Sequence, residues 1–201
     1  MIRSLVLAAL LCAPIAASAQ DLPALFSVTD VANDDVLNIR TAPSAQSQII
    51  GEYAPHATGI EVIARSENGR WGLVNVEEGT GWTSLRFLSE EPGQTMPPAA
   101  YTCLGTEPFW SFDVASPNVT WSDFNVDGAS LLVDWTGTGM RPDRFAIRAL
   151  GDLTLLTASV RREICSDGMS DRTYGFSVDA IVDQPGELQP IFVSGCCALS
   201  P

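Results

Sequence analysis

From Tyr174 to Asp183 the chain alternates strictly, with Tyr174, Phe176, Val178, Ala180 and Val182 on one side and Gly175, Ser177, Asp179, Ile181 and Asp183 on the other. A period of two belongs to a strand with one covered face, so this stretch demands a sheet. Trp110, Phe112 and Val114 share a face in another strand, and residues 119–123 and 129–135 read as a hairpin pair. Residues 153–160 are apolar enough for a central strand, while 141–150 is ambiguous and could hold a short helix. Earlier, Leu37 and Ile39 alternate with Asn38 and Arg40, and Ile60, Val62 and Ala64 with Glu61, Ile63 and Arg65. Trp71 and Leu73 alternate with Gly72 and Val74. Turn residues punctuate these runs at Asn33-Asp34-Asp35, Ala42-Pro43-Ser44, Glu67-Asn68-Gly69 and Glu78-Gly79. Short strands at this spacing predict an all-β protein.

The pattern divides in two. Residues 92–100 hold three prolines and a glycine and read as a linker. It separates a β domain at 20–91 from a second at 101–201. The linker offers few apolar side chains, so the two domains are expected to unfold separately. Ahead of them, Arg3 precedes an apolar run, and Ala17-Ser18-Ala19 has the small-x-small form of a cleavage site. Residues 1–19 therefore read as a secretory signal peptide, cut after Ala19. Acylation at Cys12 is the competing reading, but Leu11 is bulky where a lipobox needs a small residue. No later run is long enough for a membrane-spanning helix. The expected compartment is periplasmic or secreted.

Four cysteines remain after cleavage, Cys103, Cys165, Cys196 and Cys197, all beyond the linker. An even number in an exported chain reads as two disulfides. A bond between the neighbours Cys196 and Cys197 would distort the backbone, so Cys103 is expected to take one of that pair and Cys165 the other. Which takes which stays open.

Charge narrows the partners. There are 24 acids against 11 bases, every base is Arg, and the net charge is −13. Phosphate backbones and anionic lipids need clustered positive charge, so nucleic acid is excluded as a partner. The chain has one histidine, His56, in a loop by composition, and no CxxC, GxSxG, phosphate loop or dinucleotide fingerprint. No metal or other cofactor is expected, and serine or cysteine hydrolase chemistry lacks its parts. Asp123-Phe124-Asn125-Val126-Asp127-Gly128 with Asp134 approaches a calcium loop, but both flanks read as strands and a hairpin explains the same residues.

Val36-Leu37-Asn38-Ile39-Arg40-Thr41-Ala42-Pro43-Ser44 resembles the LNVRxxPS opening of bacterial SH3-like (SH3b) domains. Ile49-Ile50-Gly51, Gly59-Ile60-Glu61-Val62, Arg70-Trp71-Gly72-Leu73-Val74, Gly81-Trp82-Thr83-Ser84 and Leu85-Arg86-Phe87-Leu88 follow in the same order. The resemblance implies a small β-barrel that attaches an exported protein to cell-wall peptides or to a protein partner. Tyr53, Trp71 and Trp82 could then line a ligand groove, where flat rings meet an extended peptide. The alternative is that Trp71 and Trp82 fill a small core.

A second resemblance covers 101–201. Cys103-Leu104-Gly105-Thr106-Glu107-Pro108-Phe109-Trp110, Cys165-Ser166-Asp167-Gly168-Met169-Ser170-Asp171 and Ser194-Gly195-Cys196-Cys197 are similar to the GTEPFW, CSDGMSD and GCC motifs of an uncharacterised bacterial exported or lipoprotein family. It implies a disulfide-stapled antiparallel β-barrel or sandwich. The candidate site there is Glu107, Trp110, Asp167, Asp171 and Arg172. Glu107 is expected to be half-buried, either as an acid with a raised pKa or as a structural ion pair with Arg161, Arg162 or Arg172. The loop after Cys165 is either a binding site or a turn in which Asp167-Gly168 supplies the positive φ.

The functional expectation is an exported, non-catalytic envelope protein whose first domain binds cell-wall peptide or an envelope protein. The alternatives are a wall-acting hydrolase, with Glu107 and Asp171 facing each other across a cleft, and an inhibitor of a wall-degrading enzyme.

Overall fold

Alternate apolar positions set which face of each strand turns inward. A computed structural model describes residues 21–77 and 79–201, and the expected signal segment lies outside them. In the first half, β1 (Ala24–Val28), β2 (Leu37–Arg40), β3 (Ile49–Tyr53), β4 (Ile60–Val62), β5 (Ala64–Arg65), β6 (Trp71–Val76), β7 (Gly79–Ser84) and β8 (Leu88–Glu90) form two small sheets. One runs β4-β1-β8 and the other β3-β2-β7-β6-β5. Ala24, Phe26, Val28, Leu37, Ile39, Ile60, Val62 and Val74 make their shared core.

The strand expected through 60–65 is split. Val62 and Ile63 are both buried, and the Ile63 N–H donates to the Leu73 carbonyl at 2.8 Å. The chain changes sheets there, so β4 pairs with β1 and β5 with β6. The two tryptophans do not fill the core. Gly72, Val74, Gly81 and Thr83 turn inward, which puts Trp71, Leu73 and Trp82 on the outer face. A Cβ at Gly81 would lie 2.5 Å from Ile39 Cγ2, so β2 packs here against bare backbone.

The second half is β9 (Ala100–Thr106), β10 (Phe109–Ala115), β11 (Asn118–Asp123), β12 (Ala129–Thr138), β13 (Arg144–Gly151), β14 (Thr154–Cys165), β15 (Tyr174–Asp183) and β16 (Ile191–Leu199). Each pairs antiparallel with the next, and β16 returns to β9 to close an eight-stranded barrel. Tyr101, Phe112, Trp121, Phe145, Phe176 and the inward aliphatics fill the lumen, as side chains can in a barrel of this size. Trp110 stacks on Trp121 with ring centroids 5.8 Å apart. The Trp121 indole N–H donates to Gln184 Oε1 at 2.8 Å, and Gln184 Nε2 donates to Asp123 Oδ2 at 2.7 Å.

Residues 141–150 hold no short helix. Phe145, Ile147 and Ala149 alternate inward along β13, and two neighbouring strands satisfy its backbone. The stretch 153–160 is central as expected, since β14 pairs with β13 on one side and β15 on the other, but only one of its faces is covered. Asp152 (φ 47°) and Leu153 (φ 59°) form the β13–β14 turn, the two-positive-φ arrangement of a type I′ hairpin. Leu155 then points outward, because the outer surface of a closed barrel is solvent.

The disulfides are Cys103–Cys197 and Cys165–Cys196. The adjacent cysteines take different partners because successive strand residues point to opposite faces. Cys197 turns into the core and meets Cys103 on β9, while Cys196 fastens the end of β14 against β16.

The halves touch directly. Asn75 Nδ2 donates to the Thr173 carbonyl at 2.8 Å, and the Thr173 N–H donates to Asn75 Oδ1 at 3.1 Å. Arg162 pairs with Asp21 at 3.0 Å, and the Leu199 N–H donates to Glu61 Oε1 at 2.9 Å. A Cβ at Gly175 would come within 2.6 Å of the Pro23 ring, so the first half seats against the barrel backbone. Gln94 of the linker is bonded in both directions to the Leu25 backbone.

Candidate functional site

The expected C-terminal site residues do not converge. Glu107 is exposed on the β9–β10 turn, not half-buried, and it is in none of the ion pairs among the described residues. The turn lies at the barrel rim, where the apolar neighbours Pro108 and Phe109 are exposed too and cover nothing. Trp110 is buried at 5 % exposure in the barrel core.

Asp167 serves its own loop. Its Oδ1 accepts the N–H groups of Met169 at 3.0 Å and Ser170 at 2.9 Å, and its Oδ2 accepts the Ser170 hydroxyl at 2.8 Å and the Tyr174 phenol at 3.3 Å. Desolvation works to raise this carboxyl, but the bonds from Ser170, Met169 and Tyr174 outweigh it and hold it below the usual aspartate range. Gly168 supplies the positive φ of 75°. The Thr106 hydroxyl donates to the Asp167 carbonyl at 2.9 Å, tying the loop across to β9.

A cleft of about 280 Å³ is lined by Glu107 and Asp167 together with Met169 and Ser194, and Asp171 is not on it. Asp171 and Arg172 turn toward the first half. Asp171 Cβ lies 3.9 Å from the Cβ position at Gly79, and the Arg172 charge acts on Glu61. Arg172 also lies over the Tyr174 ring at 6.0 Å. The CSDGMSD loop is thus a bracket between barrel and first half, held at one end by Cys165–Cys196 and at the other by Thr173–Asn75.

Two carboxylates of the calcium-like stretch are otherwise engaged. Asp123 caps the hairpin through the Asn125 and Val126 N–H groups, both at 2.8 Å, and Asp134 is held by Arg148 at 2.6 Å. His56 bonds across to the Asn33 side chain at 2.8 Å.

The first half carries two grooves that share one tryptophan. Trp71 stands between two grooves. One, of about 660 Å³, runs between Pro43–Gln46, Gly69–Trp71 and Ser84–Arg86. The other, of about 540 Å³, passes Asp30, Asp35, Arg40 and Phe87. Ala45, Ser84 and Arg86 line both. Trp82 sits on the same outer face, opposite Leu73 and Arg40, two register steps from the Trp71–Ser84 pair. Tyr53 is not on this surface. It packs against the core from β3, and burial pushes its phenol up to about 12.

Arg40, Arg70 and Arg86 are the site residues that sequence reasoning missed. Arg70 precedes Trp71 in the chain, and the fold brings Arg40 and Arg86 to the same tryptophan from two other segments. Neither a family model, nor a curated protein, nor a solved structure matches this chain.

Proposed function

We propose that this chain is an exported, non-catalytic envelope protein whose N-terminal SH3b-like domain holds an extended peptide, from the cell wall or from an envelope protein. The observation that carries the reading is Trp71, half-exposed on the outer face between two grooves. A flat ring flanked by open channels suits a peptide lying across it, with alternate side chains entering either side. Its neighbour Trp82 extends the aromatic surface.

The barrel acts as a mount in this reading. Its lumen is filled by its own side chains, and the bracket loop holds the reading domain in one orientation. Two disulfides fit an oxidising, non-cytoplasmic compartment. No helix among the described residues is long and apolar enough to cross a membrane. Cleavage after Ala19 and residence in the periplasm complete the proposal.

The test is retention of the mature chain on intact and on peptide-stripped cell wall, beside a screen of envelope extracts. Trp71→Ala is the informative variant, because the ring lies outside the core and the circular dichroism should stay native. Loss of retention in that variant, and on stripped wall, is the expected result for a wall ligand. Undiminished binding of Trp71→Ala to every ligand found would overturn the reading.

A further inference from the structure

The charge around Trp71 has the opposite sign to that of its domain. Between residues 20 and 91 there are 11 acids and four arginines. Two of those arginines, Arg70 and Arg86, line the larger groove, and no carboxylate among the described residues lines it. Glu67, the nearest acid to Arg70 in sequence, is not on its wall. Among the described residues, neither Arg70 nor Arg86 is in an ion pair. Arg86 lies over the Phe87 ring at 5.4 Å, which positions its guanidinium without neutralising it. The second groove is balanced, with Asp30 and Asp35 opposite Arg40 and Arg86. Arg40 there is partly engaged, since its Nη1 donates to the Ser47 carbonyl at 2.8 Å.

Two unneutralised guanidinium groups beside one half-buried indole form a combination with a chemical meaning. The planar fork of Arg matches a carboxylate and can hold it through two parallel N–H bonds. The indole offers an apolar shelf to the chain that carries that carboxylate. Ser44, Gln46 and Ser84 on the same wall add neutral polar groups for a peptide backbone. In a strongly acidic chain, a local positive groove also repels nothing that is anionic at short range, while the surrounding negative surface disfavours polyanions too long for the groove.

We infer that the groove beside Trp71 selects short peptides bearing carboxylates, with Arg70 and Arg86 holding the carboxylate and Trp71 the adjoining chain. The inference rests on the peptide-binding reading above and adds the class of ligand. It reverses what the net charge of the domain suggests, namely a preference for basic peptides.

The experiment uses the full mature chain and three probes, followed by nuclear magnetic resonance at the Trp71 indole N–H. The probes are acetyl-Ala-Glu-Ala-Ala with a free carboxyl terminus, its amidated Gln counterpart, and the amidated Lys counterpart. The acidic probe should shift the Trp71 signal and bind about fivefold or more tightly than the neutral one, the scale of two solvent-exposed ion pairs. That gap should shrink at about 0.5 M salt. Arg70→Gln with Arg86→Gln should erase it while leaving the neutral probe's binding in place. Equal binding of acidic and neutral probes at Trp71, tighter binding of the Lys probe, or a gap that survives in the double variant overturns the inference and leaves the peptide reader standing. No shift at Trp71 with any probe overturns both.

Discussion

Glu61 gives a pH dependence whose sign follows from the contact between the two halves. It sits mid-strand in β4, opposite Leu25 on β1, and its carboxyl is covered where the halves meet. Burial pushes this carboxyl up to about 7 from its ordinary 4.5, and the Leu199 N–H and the Arg172 charge pull it down without offsetting that. The folded chain therefore holds a proton that the unfolded chain has released. Its stabilising effect is complete below pH 4.5 and is lost as pH rises through 7. A pKa unit is worth about 1.4 kcal/mol, and the residue keeps some contact with solvent, so the loss should come to about 2 kcal/mol. Glu61→Gln is the perturbation, since the amide oxygen can still accept the Leu199 N–H and nothing titrates. Urea unfolding of both proteins at pH 5, 6.5 and 8 isolates the effect, because the other carboxylates cancel in the difference. The variant should match the parent near pH 5 and exceed it by about 2 kcal/mol at pH 8. A difference that does not change with pH would refute the reasoning.

Three further outcomes follow from the packing. Cys103→Ala with Cys197→Ala should cost about 4 to 5 kcal/mol and Cys165→Ala with Cys196→Ala about 3 to 4, by loop-closure entropy, because the bonds span 94 and 31 residues; denaturant titration that reverses this order would contradict it. The Tyr101 hydroxyl is buried without a hydrogen-bond partner, so Tyr101→Phe should raise stability by about 1 kcal/mol in the same titration. Asn75→Ala removes both bonds to Thr173 and should cost about 1 to 3 kcal/mol, splitting one calorimetric transition into two; a parent protein that already melts in two steps would show that the contact does not couple the halves.

Strand placement was legible wherever a period of two met a one-sided core, as in Tyr174–Asp183 and at Trp110, Phe112 and Val114. It failed at 141–150, where Arg141, Arg144 and Arg148 interrupt the apolar signal. Those arginines pair with Asp143 in the turn and with Asp134 on the neighbouring strand, which leaves Phe145, Ile147 and Ala149 to face the core. The candidate site was less legible than the fold. Motif residues such as Asp167, Asp171 and Arg172 advertise chemistry by type, yet one of them caps a loop and the others face the first half.

Residue order by itself determined that both halves are built of β-strands, that four of the five cysteines gather in the second half, and that neighbouring Cys196 and Cys197 must part company. Those are properties of the local backbone, where successive side chains alternate and an adjacent pair cannot face the same way. Tertiary structure alone decided which cysteine takes which partner, that the barrel closes β16 onto β9, and that Trp71 faces solvent instead of the core. It also decided that Arg70 and Arg86 share a wall with that ring. Alternation leaves open which of two faces becomes the inside, and charge summed along a chain carries no direction in space. Both are settled only when distant strands pair and their side chains compete for the same core.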